Sequence, residues 1–156
     1  MSKEHNYYKE TEYLLYNYKM FQISIENMEQ EIEYLKKEDG VSGISYDGIN
    51  TSPTHKFSSV TEDAALSNRE KIHYLECIIE KYRRTIESIN RAMEGLTDIE
   101  RKIIQEKYIE GKQWYVVAYN VSYSERQCRN IRTKAIKKIA IGIFGEVATS
   151  LPHLGK

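Results

Sequence analysis

Residues 96–140 read LTDIERKIIQEKYIEGKQWYVVAYNVSYSERQCRNIRTKAIKKIA, and three helices can be drawn through them. The first is predicted over about 98–109. Thr97 stands at its N-cap with Glu100 three residues later, the reciprocal Ser/Thr-x-x-Glu arrangement in which each side chain satisfies the other residue's amide. Ile99, Ile103, Ile104 and Tyr108 share one face of it, and Gly111 offers a left-handed stop. The second helix is predicted over 113–120, with Trp114, Val117, Ala118 and Val121 turned inward. A tight Val121-Ser122-Tyr123 turn leads to Ser124, the cap of a third helix over about 125–141. Cys128, Ile131, Ala135, Ile136 and Ile139 fall at helical spacing on its buried side. The pattern is a helix-turn-helix with a basic last helix.

The outer face of that last helix carries Arg126, Gln127, Arg129, Asn130, Thr133 and Lys134, followed by Lys137 and Lys138. Arginine can grip guanine O6 and N7 with two donors, and Asn or Gln can pair with adenine N6 and N7. Major-groove reading needs such residues near the N-terminal half of a helix that fits the groove. Arg126, Gln127, Arg129 and Asn130 are therefore the candidate base readers. Lys112, Ser124, Thr133, Lys134, Lys137 and Lys138 are the candidate phosphate contacts, the last lysines also suiting the helix dipole. Trp114 is expected to pack the two helices together. Residues 96–140 hold ten Lys/Arg against five Asp/Glu, in a chain whose totals are 23 and 23. A neutral chain thus concentrates positive charge on one segment. The same residue types also describe a solvated basic face on an interaction domain.

This segment resembles sigma region 4 and its relatives. The Leu-Thr-x-x-Glu-Arg opening is similar, as is the run Val117-Ala118-Tyr119-Asn120-Val121-Ser122-Tyr123-Ser124, where that family has Ile-Ala-x-x-Leu-Gly-Val-Ser. The stretch from Arg129 to Ile139 is similar to the family's closing Arg-x-Ile-x-x-Lys-Ala-Leu-x-Lys-Leu. The likeness spans about 45 residues, and by it Arg126, Arg129 and Asn130 fall on DNA-reading positions. Ser122 departs from the pattern: it stands where the family has glycine, at a turn that favours positive φ, which implies modest strain.

Upstream, residues 4–37 are predicted as one long helix. Leu14, Tyr18, Phe21, Ile25, Met28, Ile32 and Leu35 step by fours and threes as a coiled-coil seam, and Glu26, Glu29, Glu31 and Glu33 make the outer surface acidic. Residues 39–61, rich in Gly, Ser, Thr and Asn and carrying Pro53, read as a long mobile loop. It holds no phosphate-binding GxxxxGK[ST]. A second long helix is predicted over 62–93, capped by Thr61, with Ile72, Leu75, Ile79, Tyr82, Ile86, Ile89 and Met93 as its seam. The two seams suit a hairpin within one chain or a homodimer equally. The expected class is all-α: a long N-terminal helical hairpin or coiled coil (1–95), a three-helix sigma region 4-like helix-turn-helix (96–146) that follows almost without a linker, and a frayed tail (147–156).

This layout, with its SYDGIN loop and the Val60-Thr61-Glu62-Asp63-Ala64-Ala65 helix start, resembles the phage late-gene transcriptional regulators of the RinA and ArpU type. The resemblance implies an activator of phage or prophage packaging or structural genes, acting in the cytoplasm of a bacterial host cell. Its implied partners are double-stranded promoter DNA and bacterial RNA polymerase. Nothing before Leu96 looks like a promoter-melting domain, so the protein is not expected to replace a sigma factor.

Other classes are weighed from residue content. No run of 18 apolar residues is present, so no membrane span is expected. Cys77 and Cys128, both expected on inward helix faces, form no CxxC or metal pattern and suit a reducing cytosol. His5, His55, His73 and His153 are scattered, with no ligand spacing. No nucleophile motif frames a Ser or Lys, and the Glu-rich stretches read as solvated faces. The expectation is a non-enzyme with no cofactor, catalytic residue or metal. Beside a transcription regulator stand two alternatives: the DNA-recognition small subunit of a phage packaging terminase, and a module that grips RNA polymerase or another protein.

Overall fold

A computed structural model describes residues 6–41 and 58–145, and the side chains of 6–38 and 67–145. The described residues are all-helical, with no strand: α1 Tyr7–Tyr16, α2 Tyr18–Val41, α3 Ser58–Glu94, α4 Asp98–Ile104 continued by a π-helical turn Gln105–Ile109, α5 Trp114–Val121 and α6 Glu125–Phe144. They fall into two compact units, one built from 1–22 and 84–156 and the other from 23–83. No helix among the described residues is long and apolar enough to cross a membrane.

In the unit of 23–83, Ile25, Ile32 and Leu35 of α2 and Ile79 of α3 are buried, all of them members of the predicted stripes. Arg83 of α3 forms an ion pair with Glu29 of α2. Cys77 is exposed, contrary to its expected inward place. It sits two residues from both Leu75 and Ile79, on the opposite side of α3 from the stripe, and its Sγ lies 3.9 Å from His73 Nε2.

Two boundaries differ from expectation. The single helix over 4–37 is broken at Asn17, where φ is −94° and ψ is 2°. The Asn17 side chain donates to the Tyr13 carbonyl at 2.8 Å, the kind of side-chain bond by which Asn competes with the helix backbone. The helix α3 begins at Ser58 rather than after a Thr61 cap. A cap preference of about 1 kcal/mol does not stop a helix from propagating backwards through residues that permit it. The ends of the expected 39–61 loop are thus helical (39–41 and 58–61), and its middle, with His55 and Lys56, lies outside the described residues. So do His5, His153 and the tail 147–156.

The other unit has two apolar clusters with α4 between them. Ile104 joins Leu15 of α1, Ile89 and Met93 of α3, Leu96, Tyr108, and Ala135, Ile136 and Ile139 of α6. Ile103, the neighbouring residue, joins Val117, Ala118 and Cys128, with Trp114, Val121 and Ile131 packed against them. Each large aliphatic side chain so buried contributes about 1.5–3 kcal/mol. The expected boundary after residue 95 does not separate the units, because α1 and the end of α3 cover the underside of α6. Tyr7 packs against Phe144, ring centroids 5.0 Å apart and tilted by 47°, and Glu12 lies 3.7 Å from Arg132, so α1 runs opposite in direction to α6. A Cβ at Gly142 of α6 would stand 2.9 Å from the Ala92 Cβ of α3, which is why a side chain is absent there. Arg101 closes the α3–α4 corner, its guanidinium donating to the carbonyls of Met93, Glu94 and Leu96 at 3.2–3.3 Å.

The helix expected over 98–109 stays α only to Ile104. Glu110 N then donates to Gln105 O, five residues back, at 2.9 Å. The wider turn serves two sides at once. Tyr108 donates to Glu12 Oε1 at 2.6 Å, while Glu106, also buried, accepts from Asn120 Nδ2 at 2.9 Å. Ile99, expected on the buried face, is 36% exposed, because the capping box turns Glu100 inward instead.

Candidate nucleic-acid interface

The helices α5 and α6 are joined by three residues. Gly111 stops the π turn with φ +70°, and Gln113 leads into α5 in extended backbone. At the far end Ser122 takes φ 59° and ψ 36°. Its amide donates to Tyr119 O at 3.2 Å and that of Tyr123 to Ala118 O at 3.1 Å, a left-handed closure of the helix end. The strain read from the sequence at Ser122 is therefore present as a positive φ. Ser122→Gly is expected to raise stability by about 1 kcal/mol, since a left-handed backbone costs a non-glycine residue roughly that much. Ser122→Val should lower it, and the two urea midpoints together check the sign.

Ser124 caps α6, its Oγ accepting from Gln127 N at 3.2 Å. Beyond it Arg126, Gln127, Asn130, Lys134 and Lys137 are exposed. Among the described residues these five form no side-chain hydrogen bond or ion pair. With about 100° per residue, Arg126, Asn130, Thr133 and Lys137 fall on one stripe and Gln127 and Lys134 flank it on one side. The stripe starts in the first turn of α6 and contains no carboxylate. That is an arrangement of donors able to face base edges and phosphates along one groove.

The other five predicted contacts are already engaged within the chain. Lys112 lies 2.7 Å from Glu110 and 3.5 Å from Glu106, and the hydrogen bond it donates to Glu110 raises its pKa. Ser124 serves as the cap. Thr133 Oγ1 donates to Arg129 O at 3.0 Å. Arg129 pairs with Glu125 at 3.3 Å and lies 5.0 Å over the Trp114 ring. Lys138 Nζ reaches both carboxylate oxygens of Glu100, at 2.8 and 2.9 Å.

The Lys138–Glu100 pair ties α6 to the start of α4. Glu100 is buried and completes the capping box, accepting from Thr97 N at 3.0 Å. Burial works against its charge, but the Lys138 ammonium and the Thr97 amide outweigh it and hold the carboxyl below its ordinary 4.5. A carboxylate depressed on folding adds stability that is complete above its unfolded pKa and disappears as pH falls through the folded one. Glu100→Gln keeps an acceptor for the Thr97 amide and removes the charge. It should lower stability by about 1 kcal/mol at neutral pH, since Lys138 is half exposed and screened. The gap to the parent chain should close on acidification below 4.5. Urea titrations at pH 7 and pH 3 test this; a gap that persists at low pH would falsify the charge role.

Sequence reasoning missed the surroundings of Trp114. Three cations flank its ring: Arg129 at 5.0 Å, Lys107 at 5.2 Å and Arg132 at 5.7 Å. Lys107 also donates to Lys112 O at 3.1 Å. The i, i+3 spacing of Arg129 and Arg132 was a usable signal for a shared face. The distance from Trp114 in sequence hid the rest. Arg132 also faces Glu12, and burial followed by the Glu12 hydrogen bond drives the Tyr108 phenol far up, so it stays a proton donor.

A family model described as "Protein of unknown function (DUF722)" matches residues 8–141. The chain is also similar to Protein Gp66 of Listeria phage A118, with 31% identity over 94 residues, 60% of this chain and 60% of that relative. The match thus covers less than two thirds of the relative's length. No solved structure matches the chain.

Proposed function

The chain belongs to the DUF722 family of proteins of unknown function, and we propose that it binds specific double-stranded DNA and regulates transcription for a phage or prophage. In this reading α5 and α6 form a sigma region 4-like helix-turn-helix with α6 in the major groove. The observation that carries it is the exposed, carboxylate-free stripe of Arg126, Asn130 and Lys137, flanked by Gln127 and Lys134, on a capped helix after a three-residue turn. Arg126, Gln127 and Asn130 contact base edges; Lys134 and Lys137 contact phosphates. The helices α2 and α3 form a hairpin within one chain, a reading supported by the Arg83–Glu29 ion pair and by the Tyr18 hydroxyl donating to Asn90 at 2.9 Å. A phage relative supports the phage setting.

Late-gene activation is what the resemblance to regulators of the RinA and ArpU type implies. It makes bacterial RNA polymerase a partner and the host cytoplasm the place of action, with no catalytic step and no cofactor. A second copy of the chain would convert one half-site into a palindrome with half-sites about one helical turn apart.

Selection of bound fragments from the source genome, with the whole protein at two salt concentrations, tests the reading. Enrichment of one or a few upstream regions is the expected result and supplies the operator. Enrichment inside or beside a packaging gene would favour a terminase small subunit. Binding that fades uniformly with salt, with no enriched sequence, would leave α6 a generic basic face and point to a protein partner.

A further inference from the structure

Arg129 is the one predicted base reader whose guanidinium is already occupied. Its Nη2 lies 3.3 Å from Glu125 Oε2, one turn back on α6, and its Cζ lies 5.0 Å over the Trp114 ring of α5. We propose that Arg129, Trp114 and Glu125 form a phosphodiester clamp in which the Glu125 carboxylate stands in, in the free protein, for a DNA phosphate. The proposal rests on the DNA-binding reading above and assigns Arg129 a sequence-independent role within it.

The chemistry of the three groups supports this. A guanidinium N–H donates to a carboxylate oxygen and to a phosphate oxygen alike, so the single Nη2 contact to Glu125 can pass to a phosphate. The negative indole face attracts the guanidinium, and Lys107 and Arg132 at 5.2 and 5.7 Å from the same ring make the surroundings positive. The Arg129–Glu125 pair is half exposed on both sides. Such a pair is weak and easily exchanged. An incoming phosphate takes the Arg129 fork, and Glu125 swings into water with its charge unpaired. Arg129, placed over Trp114 in this way, lies to one side of the Arg126–Asn130 stripe, at the edge of α6 where a strand of the duplex would pass.

The test is a double-mutant cycle on DNA affinity with the full chain, using the selected operator and a random duplex. Glu125→Gln frees Arg129 and should tighten both DNAs by about two- to fivefold, the range such an exposed pair can hold. The gain should vanish when Arg129→Ala is already present. Arg129→Ala alone should weaken both DNAs alike and lower the salt slope by about one. Trp114 is the chain's single tryptophan, so its emission should shift on binding either DNA and not in Arg129→Ala. Three results would overturn the clamp while leaving DNA binding standing. They are a Glu125→Gln gain that persists without Arg129, an Arg129→Ala loss confined to the operator, and Trp114 emission that ignores DNA. Failure of the parent chain and of Glu125→Gln to bind either duplex would overturn the clamp and the proposed function together.

Discussion

Arg126→Ala combined with Asn130→Ala is expected to remove operator discrimination while α6 stays folded. Both side chains are exposed, one helical turn apart, and make no side-chain hydrogen bond or ion pair with the described residues. Their loss therefore costs the free protein little, and helix propensity is kept by alanine. Each two-donor contact to a correct base is worth about 1–3 kcal/mol. Together the pair should weaken operator binding by about 30-fold to 10⁴-fold, the lower end applying if neighbouring contacts are coupled. Affinity for random DNA should fall only by the share of one lost positive charge. Lys137→Ala is the matched control, since it lies on the same stripe but is assigned to a phosphate. It should weaken both DNAs to the same degree. Titrations of operator and random duplex at two salt concentrations decide the matter. Equal losses on the two DNAs for the double variant would show that the stripe supplies charge and no sequence reading.

How far the residues alone announced this arrangement depends on whether a feature is local. Thr97, Gly111, Ser122 and Ser124 act within four residues of themselves, and the caps, the two stops and the positive φ all lie where the sequence pattern puts them. The stripes of α2 and α3 are likewise periodic, and Ile25, Ile32, Leu35, Ile79, Ile89 and Met93 among their members are buried. What is missing from the pattern is the identity of the partner. On α1, Leu14 fits the heptad series, yet Leu15 and Thr11 are the fully buried residues, because α1 packs on α6 instead of continuing a coiled coil. Thr11 hides its polarity by donating to Tyr7 O at 2.7 Å, so its type gave no hint of a core position. Charge is ambiguous for the same reason. Lys138 and Lys137 are adjacent and look alike, but one neutralises buried Glu100 and the other faces water. The exposed stripe proposed to read bases was legible as residue types at helical spacing. Of the six predicted phosphate contacts four are engaged internally, three of them with partners no more than six residues away; only the Lys138–Glu100 pair, across 38 residues, lay beyond any local pattern.

Leu15→Ala should destabilise the unit that carries α6 although it lies far from α6 in sequence. Leu15 is completely buried, in a cluster with Ile89, Met93, Ile104, Tyr108 and the α6 residues Ala135, Ile136 and Ile139. Removing its outer carbons loses transfer free energy and leaves a cavity that a helical corner cannot close, for a cost of about 2–5 kcal/mol. Against a typical domain stability of about 5–15 kcal/mol, that is a large share. Two further consequences follow from the same packing. Leu14→Ala, one residue away and only partly buried, should cost clearly less, so the pair reports which face of α1 points inward. A fragment of residues 96–145, which a boundary after residue 95 would make an independent domain, should fail to fold cooperatively, because Leu15, Ile89 and Met93 would no longer cover Ile104, Tyr108 and Ile136. Thermal unfolding of the two single variants, followed by circular dichroism, provides the first comparison, and the fragment's near-ultraviolet spectrum the second. If Leu15→Ala unfolds at the parent temperature and the fragment melts cooperatively, α1 is an appendage and the unit proposed to read DNA stands without it. If both lose stability as expected, the proposed DNA binding is conditional on α1, and mutations there are expected to weaken it with no contact to DNA at all.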